Sequence, residues 1–373
     1  MSLRGTRDDS HAGGKNAWYY ADPPTLTAKL DEYLEGVPDA IDGISLPVPR
    51  ARAVIAPHAG YSYSGRCAAW AYKCLNLSAA RRVFILGPSH HYGLPGCALT
   101  SFAEYKTPFG NLVVDEDIVG ELWDTGMFSE IPTWADVAEH SLEMHLPYLY
   151  KRLEQTHGGD KDKWPTIVPI LVGSTGMRAE KKFGNILLPY LKDPENAFII
   201  SSDFCHWGPN FEYYNYFSLT AAREMEKREK AEAEAEERER AEGPDKTRCD
   251  KKTKRVKRCG GELEPALVSY GVFPREKEDM EIHESIKMLD DQSIAAVETG
   301  IHENFLRNLK QTGNTVCGRH PIGVMMAAME ALNKENLGGP QAKFKMVKYD
   351  RSDSELKEAT KSSVSYVSFY SVV

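Results

Sequence analysis

The feature that most constrains the fold is a set of short runs that are apolar almost from end to end. Arg52–Ala56, Arg82–Gly87, Thr166–Val172 and Ala197–Ser202 lack the apolar–polar alternation of a half-exposed strand, so they read as strands buried on both faces. Cys97–Ser101, Leu112–Asp115, Lys343–Tyr349 and Ser363–Tyr370 are further strand candidates. Helical patterns alternate with them. Leu26, Leu30, Tyr33, Leu34 and Val37 fall on one face of a helix, and the stretch after Tyr63 and residues 177–191, 280–310 and 321–333 carry similar patterns. Buried strands alternating with helices predict an α/β fold: a layered, mixed but mostly parallel sheet flanked by helices.

One segment breaks that pattern. Residues 223–262 hold 14 basic and 12 acidic side chains among 40 and have no apolar stripe, so they cannot bury a core. They are expected to form a charged helical or disordered insertion. The rest is expected to be a tail over 1–16 and one α/β domain made of 17–222 and 263–373. The net charge of −8 argues against a nucleic-acid binder, which needs a basic face for phosphate. No apolar run approaches the roughly 20 residues needed to cross a bilayer, and the N-terminus lacks the apolar centre of a signal peptide. The expected location is therefore cytoplasmic. The basic run Lys251–Arg258 reads first as a solvated counter-block to the preceding glutamates; it also has the form of a nuclear localisation signal, which would add the nucleus as a second location. Seven scattered cysteines in such a chain are expected to be reduced.

Three of the strands run directly into loops rich in reactive side chains. Strand 52–56 leads to Pro57-His58-Ala59-Gly60, strand 82–87 to Pro88-Ser89-His90-His91, and strand 197–202 to Asp203-Phe204-Cys205-His206. In open α/β sheets ligands bind beyond the carboxyl ends of the strands, where such loops converge. A single histidine is usually structural; three at strand ends point to a site. Cys317 precedes a helix start at Pro321 and neighbours Arg319, surroundings expected to favour its thiolate. His58, His90 and Cys317 would make a two-imidazole, one-thiolate set suited to copper, iron or zinc, with the thiolate favouring Cu(I).

The segment Glu139-His140-Ser141-Leu142-Glu143-Met144-His145 looks at first like a zinc motif. As one helix it would place His140 and His145 on different faces and Glu139 and Glu143 on the same one. It is expected to serve the helix surface or to hydrogen-bond behind the site; the alternative, functional reading is that one of these groups borders the cleft. Trp18, Tyr61, Tyr63, Trp207, Tyr213, Tyr214 and Tyr216 flank the same segments and could rim a groove for an aromatic or peptide ligand.

With these segments in view, the chain resembles the Memo family, mediators of receptor tyrosine kinase-driven cell motility. The resemblance is carried by His11-Ala12-Gly13, Trp18-Tyr19, APHAGYSYSG (56–65), RRVFILGPSHH (81–91), GELWDTGMF (120–128), EHSLEMHLPY (139–148), PILVG (169–173), SSDFCHWG (201–208), TVCGRHPIGV (315–324) and SSVSY (362–366). It implies an extradiol-dioxygenase (LigB)-like fold, with cysteine where those non-haem iron enzymes place a carboxylate. It implies His58, His90 and Cys317 as ligands of one copper or iron ion, and Asp203 with His206 as the acid/base corner. Trp18 and Tyr63 match positions associated with binding a phosphotyrosine peptide.

Two functions from different classes follow. One is a metal-dependent redox protein with a role in signalling or cell motility. The other is a non-catalytic adaptor whose cleft takes a phosphotyrosine peptide or signalling protein, with Trp18 and Tyr63 on the ring and Arg319 among the groups facing phosphate. An active ring-opening dioxygenase ranks third, because it lacks the carboxylate ligand.

Overall fold

The computed structural model describes residues 1–14, 17–224, 226–227, 230, 258–259, 262–263, 266–269, 279–336 and 339–373. Most of the charged segment 223–262, including most of the basic run 251–258, lies outside them. The chain divides into two compact units. The first comprises Met1–His206, Asp290–Ser354 and Val364–Val373, and the second comprises Trp207–Leu289 and Glu355–Ser363. The second unit thus begins upstream of Arg223, where the composition changes.

The first unit is built on a mixed sheet whose strands include β1 (Ala51–Ala56), β2 (Arg82–Pro88), β3 (Cys97–Leu99), β4 (Phe128–Glu130), β5 (Thr166–Val172), β6 (Asn196–Ser201), β7 (Lys345–Arg351) and β8 (Ser363–Val372). From β8 they run β8-β1-β6-β2-β5-β3-β4, and β7 pairs with β8. The four central strands, β1, β6, β2 and β5, are parallel to one another. The pairs β8–β1, β5–β3 and β7–β8 are antiparallel, and β3–β4 is parallel. Every residue of β1 and β6 is buried, as their unbroken apolar runs imply. The mixed, largely parallel sheet flanked by helices is as expected.

Local signals account for the helices. Asp22 caps the helix Pro23–Glu35 by accepting a hydrogen bond from the Thr25 amide, and prolines fill its first two positions. Its Leu26, Leu30, Tyr33 and Leu34 are buried on the predicted face. The expected helix over 280–310 is two helices, Ile282–Glu298 and His302–Thr312. The break falls at Gly300, whose φ of 69° is a left-handed conformation that ends helices.

The described N-terminal residues do not run free as a tail. Thr6–Arg7 pairs in parallel with Glu104–Tyr105, and the Arg7 side chain is completely buried. In the second unit, Asn215–Ser218 pairs antiparallel with Ala266–Ser269, and Tyr216, Ala221 and Val268 pack together. Trp207, Tyr213 and Tyr216 are buried. No helix among the described residues is long and apolar enough to cross a membrane.

Candidate metal centre

The strands β1, β6 and β2 are adjacent and parallel, so their carboxyl ends open at one edge of the sheet. The loops beyond them carry His58, Asp203 with His206, and His90. A fourth loop brings Cys317 from just before the helix Arg319–Glu335. The side-chain donor atoms of His58, His90 and Cys317 all lie within 4.8 Å of one another, and so do those of Asp203, His206 and Cys317. His58 Nε2 is 3.2 Å from Cys317 Sγ and 3.9 Å from Asp203 Oδ2.

Hydrogen bonds fix which imidazole nitrogen faces this space. The Ser201 hydroxyl donates to the Ser141 carbonyl at 2.7 Å. Its oxygen therefore accepts from His58 Nδ1, 2.6 Å away, and leaves the Nε2 lone pair toward Cys317. Glu139 does the same for His90: its carboxylate accepts from Nδ1 at 2.8 Å and from the backbone amide at 2.6 Å. His206 Nδ1 lies 2.8 Å from the Phe204 carbonyl and 3.1 Å from that of Thr315, which turns its Nε2 the other way. A ring nitrogen held by an acceptor while the other points to a common centre is the usual arrangement behind metal-binding histidines. Burial holds His58 well below the ordinary imidazole range, so it is neutral and able to ligate.

The two loops that meet here are stitched together. The Asp203 amide points at Cys317 Sγ at 3.3 Å. Thr315 Oγ1 accepts from the His206 amide at 2.7 Å and donates to the His206 carbonyl at 2.9 Å. Gly318 makes this approach possible: a Cβ there would lie 2.2 Å from the Ser201 carbonyl oxygen. Asp203 Oδ1 accepts from the His58 amide at 2.9 Å, and burial raises the Asp203 carboxyl above its usual range.

The thiolate expectation at Cys317 is corrected. Burial, and then the Asp203 carboxylate, push the thiol well above its usual range, although the Asp203 and Gly318 amides oppose the shift. Arg319 does not counter it: its side chain is exposed and donates to His320 Nε2 at 3.3 Å.

The 139–145 segment is not one helix. Glu139 caps the short helix His140–Glu143, and a separate helix starts at Leu146. Burial pushes the Glu139 carboxyl up, but its contacts with His90 and His140 outweigh that and bring it down to about 2. Glu143 also falls to about 2, with His11 and Arg7 outweighing burial. It accepts from Arg7 at 2.8 Å, from the Tyr19 hydroxyl at 2.8 Å and from the His11 amide at 2.9 Å. Arg7 also donates to Asp136 and to the Glu139 carbonyl. The N-terminal segment thereby braces the loop that orients His90. His140 stacks on His90 with ring centroids 4.4 Å apart, and Trp18 packs against His140 at 4.3 Å. Tyr63 is 62% exposed. Of the flanking aromatics, Trp207, Tyr213, Tyr214 and Tyr216 belong to the second unit.

A family profile described as Memo-like protein matches residues 7–370. The chain belongs to the Memo-like family. It is 38% identical to Protein MEMO1 of Homo sapiens over 360 residues, which cover 96% of this chain and 95% of that one. The Mus musculus protein of the same name matches with the same identity and coverage. The Protein memo-1 homolog of Caenorhabditis elegans is 35% identical over 372 residues, covering 99% of this chain and 84% of that one. Within this Memo-like chain, sequence reasoning passed over Ser201 and left the partner of Glu139 unassigned. The first immediately precedes a candidate loop, and the second lies in a segment already conspicuous for its histidines.

Proposed function

We propose that this chain binds one redox-active metal ion, copper or iron, through His58 Nε2, His90 Nε2 and Cys317 Sγ. The observation that carries the reading is that Ser201 and Glu139 hold the Nδ1 atoms of both histidines, leaving both Nε2 atoms for the space they share with Cys317 Sγ. This donor set fits a soft or borderline transition metal and not magnesium or calcium. Burial resists an uncompensated thiolate, and a metal ion supplies the missing positive charge. Bound there, copper or iron would supply one-electron chemistry. His206 and Asp203 border the same space and would hold or move a proton, making the chain a metal-dependent oxidoreductase on an extradiol-dioxygenase-like framework. The role would lie in signalling or cell motility, in the cytoplasm, with nuclear entry through the 251–258 run. Anaerobic titration with Cu(I) and Fe(II) tests the reading. One-to-one binding that Cys317→Ser weakens at least tenfold with the fold intact is expected, and equal affinity in the variant removes Cys317 from the site.

A second reading, phosphotyrosine-peptide binding, is favoured by the Trp18 ring beside His140 at the cleft and by the exposed Tyr63 ring. Arg319, exposed at the start of its helix, would face phosphate. The metal-free protein would then bind such a peptide and lose it in Trp18→Ala. Absence of saturable binding would end this reading.

A further inference from the structure

Asp290 is fully buried and has no ion pair among the described residues. Its Oδ1 accepts from the Cys205 amide at 3.1 Å and from Asn314 Nδ2 at 3.4 Å. Its Oδ2 accepts from the Tyr349 hydroxyl at 2.9 Å. The Ser365 hydroxyl also hydrogen-bonds the carboxylate, and all these donors are neutral; the Arg351 guanidinium lies over the Tyr349 ring, 5.8 Å from its centroid. A carboxylate buried without a cation is costly, and an amide of the same shape could keep both bonds at Oδ1 and donate to the Tyr349 oxygen, whose hydroxyl would turn toward Ser365 Oγ, without the charge. The charge therefore needs an explanation beyond packing.

Its position suggests one. Cys205 lies between Asp203 and His206, and Asn314 precedes Thr315, whose hydroxyl is locked to His206. Asp290 thus sits behind both loops that frame the candidate centre, joined to each by one hydrogen bond. We propose that Asp290 is a positioning residue whose buried negative charge helps the centre hold a cation and favours a divalent over a monovalent ion. In a medium of low dielectric, a fixed charge acts across a layer of protein with little screening, and a doubly charged ion gains twice as much from it. Asp290 touches no metal and acts through the loops and the field. The inference rests on the metal-binding reading above.

The test compares the full chain with Asp290→Asn and Tyr349→Phe. Each is titrated anaerobically with Fe(II) and with Cu(I), and its melting temperature is measured at pH 7.5. Asp290→Asn is expected to lose about tenfold or more in Fe(II) affinity and clearly less in Cu(I) affinity. It is also expected to melt no lower than the parent chain, a result that a purely structural role would not give. Tyr349→Phe, which removes one hydrogen bond and keeps the charge, is expected to retain the parental Fe(II)-to-Cu(I) preference. Equal Fe(II) affinity in Asp290→Asn overturns the inference, as does an equal loss for both ions. A variant that melts lower or does not fold also overturns it, because the account holds that a neutral side chain of this shape is tolerated. Failure of the parent chain to bind either ion overturns the metal reading, and this inference with it. Binding by the parent with an unchanged Asp290→Asn overturns this inference alone.

Discussion

Glu143 and Asp290 are both fully buried carboxylates near the candidate centre, yet their surroundings differ in kind. Glu143 is enclosed by Arg7, His11 and Tyr19, and its carboxyl is brought down to about 2. Asp290 meets only neutral donors, and burial pushes its carboxyl up to about 6. The first is a completed structural ion pair that fixes the loop behind His90. The second is a charge left open within the protein, which costs stability and marks a place where a cation is expected nearby.

The largest expected effect comes from breaking the completed pair. Arg7→Ala leaves Glu143 and Asp136 buried without their shared cation and should cost about 3–5 kcal/mol in denaturant unfolding. A cost below about 1 kcal/mol would mean that Arg7 does not hold this region together. The two carboxylates should also respond to pH in opposite directions. The Glu143 carboxyl lies below its ordinary value when folded, so its contribution is present above the usual carboxylate range and is lost as pH falls toward about 2. Asp290 lies above its ordinary value, so its contribution is fully present below about 4 and is lost as pH rises through about 6. Asp290→Asn should therefore be up to about 3 kcal/mol more stable than the parent at neutral pH, with the difference vanishing near pH 4. A difference that does not change with pH, measured by unfolding across this range, would contradict the assignment.

Smaller effects sharpen the contrast at the ligands. Glu139→Gln keeps the shape but replaces one of the two oxygens that accept from His90 with a donor, and should lower metal affinity by roughly 10- to 100-fold. Ser201→Ala removes the partner of His58 Nδ1 and should cost about 1 kcal/mol in stability with a lesser loss of affinity. Calorimetric titration and unfolding of each variant would measure both. Affinity losses in the reverse order would shift the main orienting role from the Glu139 pair to the Ser201 pair.

The sheet was legible because strands buried on both faces must be apolar throughout, and β1, β2, β5 and β6 lie where those runs place them. The convergence of His58, His90 and Asp203 followed from a general property of parallel sheets, once three reactive loops were seen at strand ends. The electrostatic state of Cys317 was not legible. A helix start and a nearby arginine favour a thiolate, but burial and Asp203 act more strongly, and no spacing along the chain reports burial. Arg7 and Asp290 escaped notice for a related reason. Arg7 meets Glu143 from 136 residues away, and Asp290 meets Cys205 from 85, so neither forms a local pattern.

The central claim is that two imidazole nitrogens and one thiolate hold a single ion. X-ray absorption of the chain loaded anaerobically with one equivalent of Cu(I) tests it most directly. One sulfur and two imidazole nitrogens around copper are expected, with the sulfur lost in Cys317→Ser. A spectrum without sulfur, or one unchanged by that substitution, would contradict it.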